Sequence, residues 1–491
     1  MNILVSFFLY PNINDKSPQE QSLNTIAFIE VHIMAKENTF SSKFGLIAAT
    51  VGSAVGLGNV WRFPSLAQEN GGGAFLLIYI CCIFILGIPV MLAEFSLGRA
   101  GRSDSVGSFK NLTPGNKWWI AGCFGLLASY LILAFYMVVA GWTIEYLWQS
   151  LSGGLYTGYS SATETNSFFT GKMSDMILSG GKPLFWTFVM IVLNLVILLK
   201  GVKKGIERIS NLLMPLLFLI LLIFCAVSLS LPNAGEGLKF FFNPDFYKIN
   251  GNVILAALGQ AFFSLSLGMG ILVTYSSYFP KTTKMMRTSI TVTLLDFSVS
   301  VLMGVIIFPA VVSFGINDNT SMAGMTLVFV TLPEIFAQMV GAQWWSSLFF
   351  LLLGVAALTS TISIAEVSIA FVHDRFKVSR KKACFIVLLP MFIFSSLCSL
   401  SLTGVEWLQI CGQSLFDTLD NLTANIILPI SALLICLYVG WVLPKQFLQD
   451  QLTNYGNIRS RFTSVILFLI RFVCPILIAT IFIQYIVTKL L

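Results

Sequence analysis

The residues best placed to do chemistry in this chain are oxygen-bearing side chains set inside apolar runs. Asp296 interrupts the stretch TSITVTLLDFSVSVLMG, where an ionised group is expensive and its presence usually functional. Thr359 and Ser360 stand with Ala356 at i, i+3 and i+4, on one helix face. Taken alone, such hydroxyls most often bond back to their own helix. Two glycine pairs, Gly56 with Gly58 and Gly268 with Gly270, fall near the middle of otherwise helical apolar segments. Glycine costs a helix interior about 1 kcal/mol relative to alanine and so permits local unwinding. Unwinding frees backbone N–H and C=O groups, which lipid depth tolerates only where they line a cavity or bind a ligand. The same glycines could instead serve close helix packing. Bond-making chemistry has no comparable support. The chain has two histidines, His32 and His373, no His–Glu metal motif and no nucleophile–base pair. The reading is of a binding or transport protein, not an enzyme.

The elements that must carry these residues follow from composition. Of 491 residues, 56% are hydrophobic and only 10% charged, where a soluble chain carries about 25% charged. Runs of roughly 20 apolar residues, enough to span a bilayer, recur at 44–70, 74–98, 118–149, 183–199, 209–231, 252–278, 288–314, 343–372, 382–401, 416–443 and 462–488. This predicts an all-α, polytopic membrane protein of about eleven spans. The segment 322–340 is apolar but broken by Pro333 and reads as a folded loop. Cysteines such as Cys81, Cys82, Cys123, Cys225, Cys384 and Cys436 lie inside apolar stretches with neither metal spacing nor a disulfide framework. The net charge of +7 is no nucleic-acid signal, because it resides in short loops.

Loops after the even-numbered spans hold most of the basic residues, including Arg99, Arg102, Lys203, Lys204, Arg208, Lys281, Arg287, Arg380, Lys381 and Lys382. The alternate loops hold only Lys172, Lys182, Lys239 and Lys248. Positive loops stay in the cytoplasm. The N-terminus is therefore expected in the cytoplasm and, with an odd number of spans, the C-terminus outside, in the periplasm or extracellular space. Residues 1–33 contain no span and no signal-peptide pattern, and Met34 opens a cleaner beginning. They read either as lying upstream of the true start or as a cytoplasmic tail.

Glycine-interrupted spans 1 and 6, five spans apart, match a transporter built of two inverted repeats with its site at the midplane. The motifs GSAVGLGNVWRFP (52–64), ENGGGAF (69–75), GIPVMLAEFSLGR (87–99), GQAFFSLSLGMG (259–270), ALTSTIS (357–363) and FDTLDN (416–421) make the resemblance specific. Over roughly residues 40–445 the sequence resembles the neurotransmitter:sodium symporter family, in particular its bacterial amino acid transporters. The resemblance implies a LeuT-type 5+5 inverted repeat with discontinuous helices 1 and 6. Its expected division is a cytoplasmic N-terminal tail 1–40, a first five-helix repeat 41–235, a second 250–445, and a cytoplasmic loop with helix 11 at 446–491.

The resemblance also implies site residues. Sodium site 1 is expected at Ala54, Asn59, Ser264 and Asp296, and sodium site 2 at Gly52, Val55, Ala356, Thr359 and Ser360. Family members often carry Asn where this chain has Asp296. The substrate, a neutral hydrophobic or aromatic amino acid, is expected among Ser53, Ala54, Leu57, Gly58, Ile132, Tyr136, Phe263, Ser264, Ser266, Met269, Ser360 and Ile364. Arg62 and Asp420 match an outer ion pair above a lid of Tyr136 and Phe263. Asp374 and Tyr278 match the inner gate, whose usual arginine and tryptophan align with Glu37 and Phe40; Lys36 or Lys43 is the candidate replacement cation. Glu94 matches a glutamate that supports the broken helix. Glu366 either lines the inward sodium path or makes a structural hydrogen bond. Tyr79, Gln260, Ser264 and Ser300 match chloride-site positions, but a carboxylate at Asp296 fills the anion's balancing role, so chloride is not expected to be required. The expected partners are the amino acid and the lipid bilayer of the bacterial inner membrane, with a homo-oligomer as a candidate assembly. The rival reading is a substrate-sensing receptor or a channel on a transporter fold.

Overall fold

In a computed structural model, the chain is described over residues 39–159, 165–316, 324–458 and 462–490. Nine helices in those residues are long and apolar enough to cross a membrane: Gly73–Gly101, Trp119–Leu151, Gly181–Leu198, Val202–Leu229, Met285–Ser313, Ala342–Phe376, Arg380–Ser401, Leu415–Val442 and Thr463–Val487. They correspond to expected spans 2–5 and 7–11. Helices are the form these segments must take, since the bilayer core offers no water to unpaired backbone groups.

The two remaining spans are the broken ones. Span 1 consists of Lys43–Ala54 and Gly58–Glu69, bent by 56° at the break. Span 6 consists of Gly251–Ser264 and Ile271–Ser277, separated by a non-helical turn. Within that turn Gly268 and Gly270 have φ of 77° and 71°, a left-handed backbone that suits glycine. The segment Gly324–Ala337 is apolar but shorter than a crossing. It folds back over span 3, where Phe329 packs against Trp142 and Tyr146 with ring centroids 5.8 and 4.9 Å apart. It is thus a folded loop, as its proline suggests.

Spans 3 and 8 pack against each other more extensively than any other helix pair. Span 8 is the most enclosed, with 78% of its apolar window buried, and span 11 the least, with 22%. Span 8 therefore runs through the centre of the bundle against span 1, and span 11 lies at its rim. This puts Thr359 and Ser360 opposite the break in span 1.

Candidate functional site

The first half of span 1 starts at Ser42, whose hydroxyl accepts from the Gly45 amide at 2.8 Å. It ends at Val55, which is extended (φ −68°, ψ 111°). A π-helical turn at Gly58–Arg62 restarts the helix. Close approach explains both glycines of the break. A Cβ on Gly56 would lie 2.8 Å from Ser360 Oγ and 2.9 Å from Tyr136 Oη, and one on Gly58 would lie 2.9 Å from the Phe263 ring. The freed backbone groups are taken up by side chains from spans 3 and 8. The Leu57 amide donates to Tyr136 Oη at 3.0 Å. Ser360 Oγ donates to the Val55 carbonyl at 3.1 Å and lies 3.4 Å from that of Gly52. Thr359 Oγ1 bonds back to Val355 and Ala356 of its own helix, both at 3.1 Å. Of the two hydroxyls, only Ser360 crosses to span 1. Gly52, Val55, Ala356, Thr359 and Ser360 nonetheless come together at one point, where a Cβ on Gly52 would lie 3.2 Å from that of Thr359.

A second oxygen cluster sits on the other side of the break. Ser264 Oγ donates to Asp296 Oδ2 at 2.6 Å. Asn59 Nδ2 lies 2.8 Å from Asp296 Oδ1 and 3.0 Å from both Ser264 Oγ and Ser300 Oγ. Asn59 Oδ1 accepts from the Gly56 amide at 3.0 Å. All four side chains are buried. The amide of Asn59 thus turns its nitrogen, not its oxygen, to the carboxylate.

Between the clusters lies a cavity of about 30 Å³. Ser53, Ala54, Gly58, Ile132, Tyr136, Phe263, Ser264, Ser266, Met269, Ser360 and Ile364 line it, together with Gly56 and Asn59. Leu57 stands behind it, bound through its amide to Tyr136. Ser266 Oγ donates to the Ser53 carbonyl at 2.9 Å, which joins the two breaks. The Phe263 ring divides this cavity from a vestibule of about 310 Å³ that it also lines with Trp61, Arg62, Phe135, Phe416 and Asp420. Arg62 and Asp420 face this vestibule without forming an ion pair, contrary to the expected outer gate contact. The open vestibule keeps them apart. The Arg62 guanidinium instead covers the Phe263 ring, 4.6 Å from its centroid, a cation–π contact.

With this geometry the comparisons with known proteins agree. The sequence profile of the Sodium:neurotransmitter symporter family matches residues 37–490. The chain belongs to the sodium:neurotransmitter symporter family. It is 36% identical over 447 residues to an uncharacterised sodium-dependent transporter of Bacillus subtilis, covering 91% of this chain and 97% of that one. It is 31% identical over 405 residues to the sodium-dependent serotonin transporter of Drosophila melanogaster, covering 74% of this chain and 63% of the relative. Its fold matches the crystal structure of MhsT in complex with L-phenylalanine, with a TM-score of 0.81 and 39% identity over 91% of this chain and 99% of the other. The protein is accordingly a transporter of the LeuT-type fold, not an enzyme.

In this symporter the end of the bundle opposite the vestibule is sealed. Glu366, fully buried, receives two hydrogen bonds from the Arg380 guanidinium at 2.9 and 2.6 Å and one from Tyr278 Oη at 2.8 Å. This is the ion pair found among the described residues. Of the two readings of Glu366, the structural one describes these contacts. Glu207, also buried, accepts from the amides and hydroxyls of both Ser41 and Ser42 at 2.8–3.0 Å. Phe40 is buried among Tyr275, Tyr278 and Phe279, at centroid distances of 5.9–6.3 Å. Asp374 accepts from Ser103 Oγ and the Asp104 amide, both at 3.1 Å. Lys43 is exposed and does not pair with it; Lys36 and Glu37 lie outside the described residues. Burial pushes the neighbouring Asp104 carboxyl above its ordinary value, against the pull of the Gly107 and Val106 amides it caps. Glu94 Oε1 accepts from the Gly268 amide at 2.7 Å and so supports the break in span 6.

Three of these contacts escape sequence reasoning. Glu207 stands in the basic run KKGIER and has no spacing partner. Arg380 counts in the sequence only as one of several loop charges. Gly56 is legible as a helix breaker but not as part of the cavity wall.

Proposed function

We propose that this chain imports a neutral hydrophobic or aromatic amino acid together with sodium, by alternating access around the cavity between the two breaks. The observation that carries this reading is the convergence of both breaks and both oxygen clusters on one cavity that has no charged side chain aimed at a substrate side chain. The amino acid carboxylate would lie near the Leu57 and Gly58 amides and Tyr136, where the start of a half-helix favours an anion. Its ammonium would meet the carbonyls near Ala54, Phe263 and Ser264. Ile132, Met269 and Ile364 would accommodate the side chain, and methionine adapts to varied shapes. Phenylalanine bound to the related MhsT agrees with this class of substrate.

Sodium, a hard cation that prefers oxygen ligands, fits both clusters. At the first, Asp296 and Ser264 supply oxygens and the Asn59 amide would turn over to present Oδ1. At the second, Ser360 Oγ would exchange its hydrogen bonds to the Gly52 and Val55 carbonyls for the ion. Asp296 supplies a fixed negative charge that makes chloride unnecessary. The vestibule faces outside and the sealed end the cytoplasm of a bacterial inner membrane, with two five-helix repeats rocking about the site. Purified protein in proteoliposomes should take up labelled phenylalanine, leucine or tryptophan down an imposed sodium gradient and not without it. Equal flux in both conditions, or stronger competition by glutamate or lysine than by these, overturns the proposal.

A further inference from the structure

Span 11 carries a cation that the transport site does not use. Arg471 lies in the π-helical turn Leu469–Val473, roughly two turns into the span. Its Nε donates to the Gly440 carbonyl of span 10, and Trp441 Nε1 donates to the Arg471 carbonyl at 3.0 Å. A Cβ on Gly440 would lie 3.0 Å from Arg471 Cγ, so glycine makes room for the arginine stem. Gly440 stands in the last turn of span 10, which ends at Val442. The guanidinium therefore binds within about one turn of the end of that span, the part of a crossing helix that meets lipid headgroups. Among the described residues, no carboxylate pairs with Arg471, and its two terminal nitrogens donate to no acceptor.

This cation lies at the rim of the bundle. Span 11 is the least buried span. Trp441 is 56% exposed and lies edge-on to the half-exposed Phe472, 5.2 Å between centroids. The guanidinium lies 5.7 Å from the Trp441 ring centre. Tryptophan beside arginine at a span end marks the membrane interface. Just beyond, Lys445 is exposed and opens the helix Lys445–Thr453, whose cap Pro444 offers no side-chain acceptor to its first amides. A cation and an exposed aromatic edge thus stand together where span 10 ends, with Lys445 four residues beyond Trp441 in the chain. Basic pockets between helices at this depth suit anionic lipid headgroups.

We propose that Arg471, with Trp441 and Lys445, binds the phosphate of an anionic phospholipid between spans 10 and 11, in the leaflet that faces the 443–462 connection. Arg471 is a lipid ligand and not a part of the transport site.

The test is native mass spectrometry of the full chain in detergent, titrated with phosphatidylglycerol or with phosphatidylcholine of the same acyl chains. Wild type should bind phosphatidylglycerol about fivefold more tightly, the worth of one basic residue against an anionic headgroup. Arg471→Gln should erase that preference while leaving uptake in place, and Arg471→Lys should keep part of it. An unchanged preference in Arg471→Gln, or none in wild type, overturns the proposal. Displacement of the lipid by millimolar glycerol phosphate overturns it too, because the site would then read free phosphate and not a lipid. Should Arg471→Gln fail to fold, the fluorescence lost between wild type and Trp441→Phe decides. Brominated phosphatidylglycerol should quench it more than brominated phosphatidylcholine does, and equal quenching refutes the site.

Discussion

The two ends of the bundle on either side of the cavity carry similar residues and differ in whether those residues touch. At the vestibule end, Arg62 and Asp420 line a space of about 310 Å³ without pairing. At the other, Arg380 and Glu366 pair at 2.6 Å and Tyr278 adds a third bond. Glu207 and Phe40 hold the start of span 1 against the bundle there. The contrast teaches that the two ends of this transporter differ here in their polar contacts, one group paired and the other apart. In the alternating access proposed above, closing one end and opening the other would exchange one group of charge contacts for another.

The largest effect should come from the cavity both ends serve. Thr359→Ala with Ser360→Ala removes two hydroxyl oxygens and should lower sodium-driven uptake by about 100-fold or more, since losing several metal-ligand or buried hydrogen-bond partners costs some 3 kcal/mol. Protein that still inserts but transports normally would show that these hydroxyls only brace helices.

Next comes the sealed end. Glu366→Gln leaves Arg380, whose side chain is 18% exposed, without its counterion, a change worth about 1.5–3 kcal/mol for charged hydrogen bonds partly screened by solvent. The variant should shift toward a form open at that end, read as faster labelling of a cysteine placed at Ser363. Unaltered labelling would mean that the pair is decorative.

Arg62→Gln removes a cation that is not ion-paired in this state, so it should leave sodium binding in this state within about fivefold while slowing transport, because a cation–π contact facing an open vestibule is worth about 0.5–1 kcal/mol. A loss of sodium affinity as large as that of the hydroxyl double variant would erase the difference drawn between the two ends.

The smallest effect concerns the anion. Replacing chloride with gluconate should leave wild-type uptake unchanged, whereas Asp296→Asn should weaken sodium binding and regain part of its transport in chloride. Wild-type activity found only in chloride would show that Asp296 does not supply the balancing charge in this low-dielectric site.

Much of this was legible in the sequence for a definite reason. Glycines in a lipid-depth helix and hydroxyls three and four residues after a small residue on one helix face are local patterns with few physical outcomes, and Gly58, Gly268, Thr359 and Ser360 fall where those patterns point. Asp296, as an acid in an apolar run, was conspicuous for its cost, and Glu94 through the motif that carries it. Contacts that depend on the conformational state were not legible. The Arg62–Asp420 pairing follows from motif likeness, but whether the two touch depends on which end is open. The bonds from Ser41 and Ser42 to Glu207 join residues far apart in sequence, on elements whose approach no local pattern encodes.

One hydrogen bond described above has a mechanical meaning. Ser266 reaches across to the Ser53 carbonyl, so the broken spans are pinned to each other at their breaks. A pin at that place is a fulcrum. The arm Lys43–Ala54 has 12 residues, roughly 18 Å at 1.5 Å per residue. A tilt of about 20° at the pin would carry its tip some 6 Å by simple leverage on that length. A motion too small to disturb the cavity walls at the pivot is then large enough at the tip to pull Phe40 out of its aromatic seat.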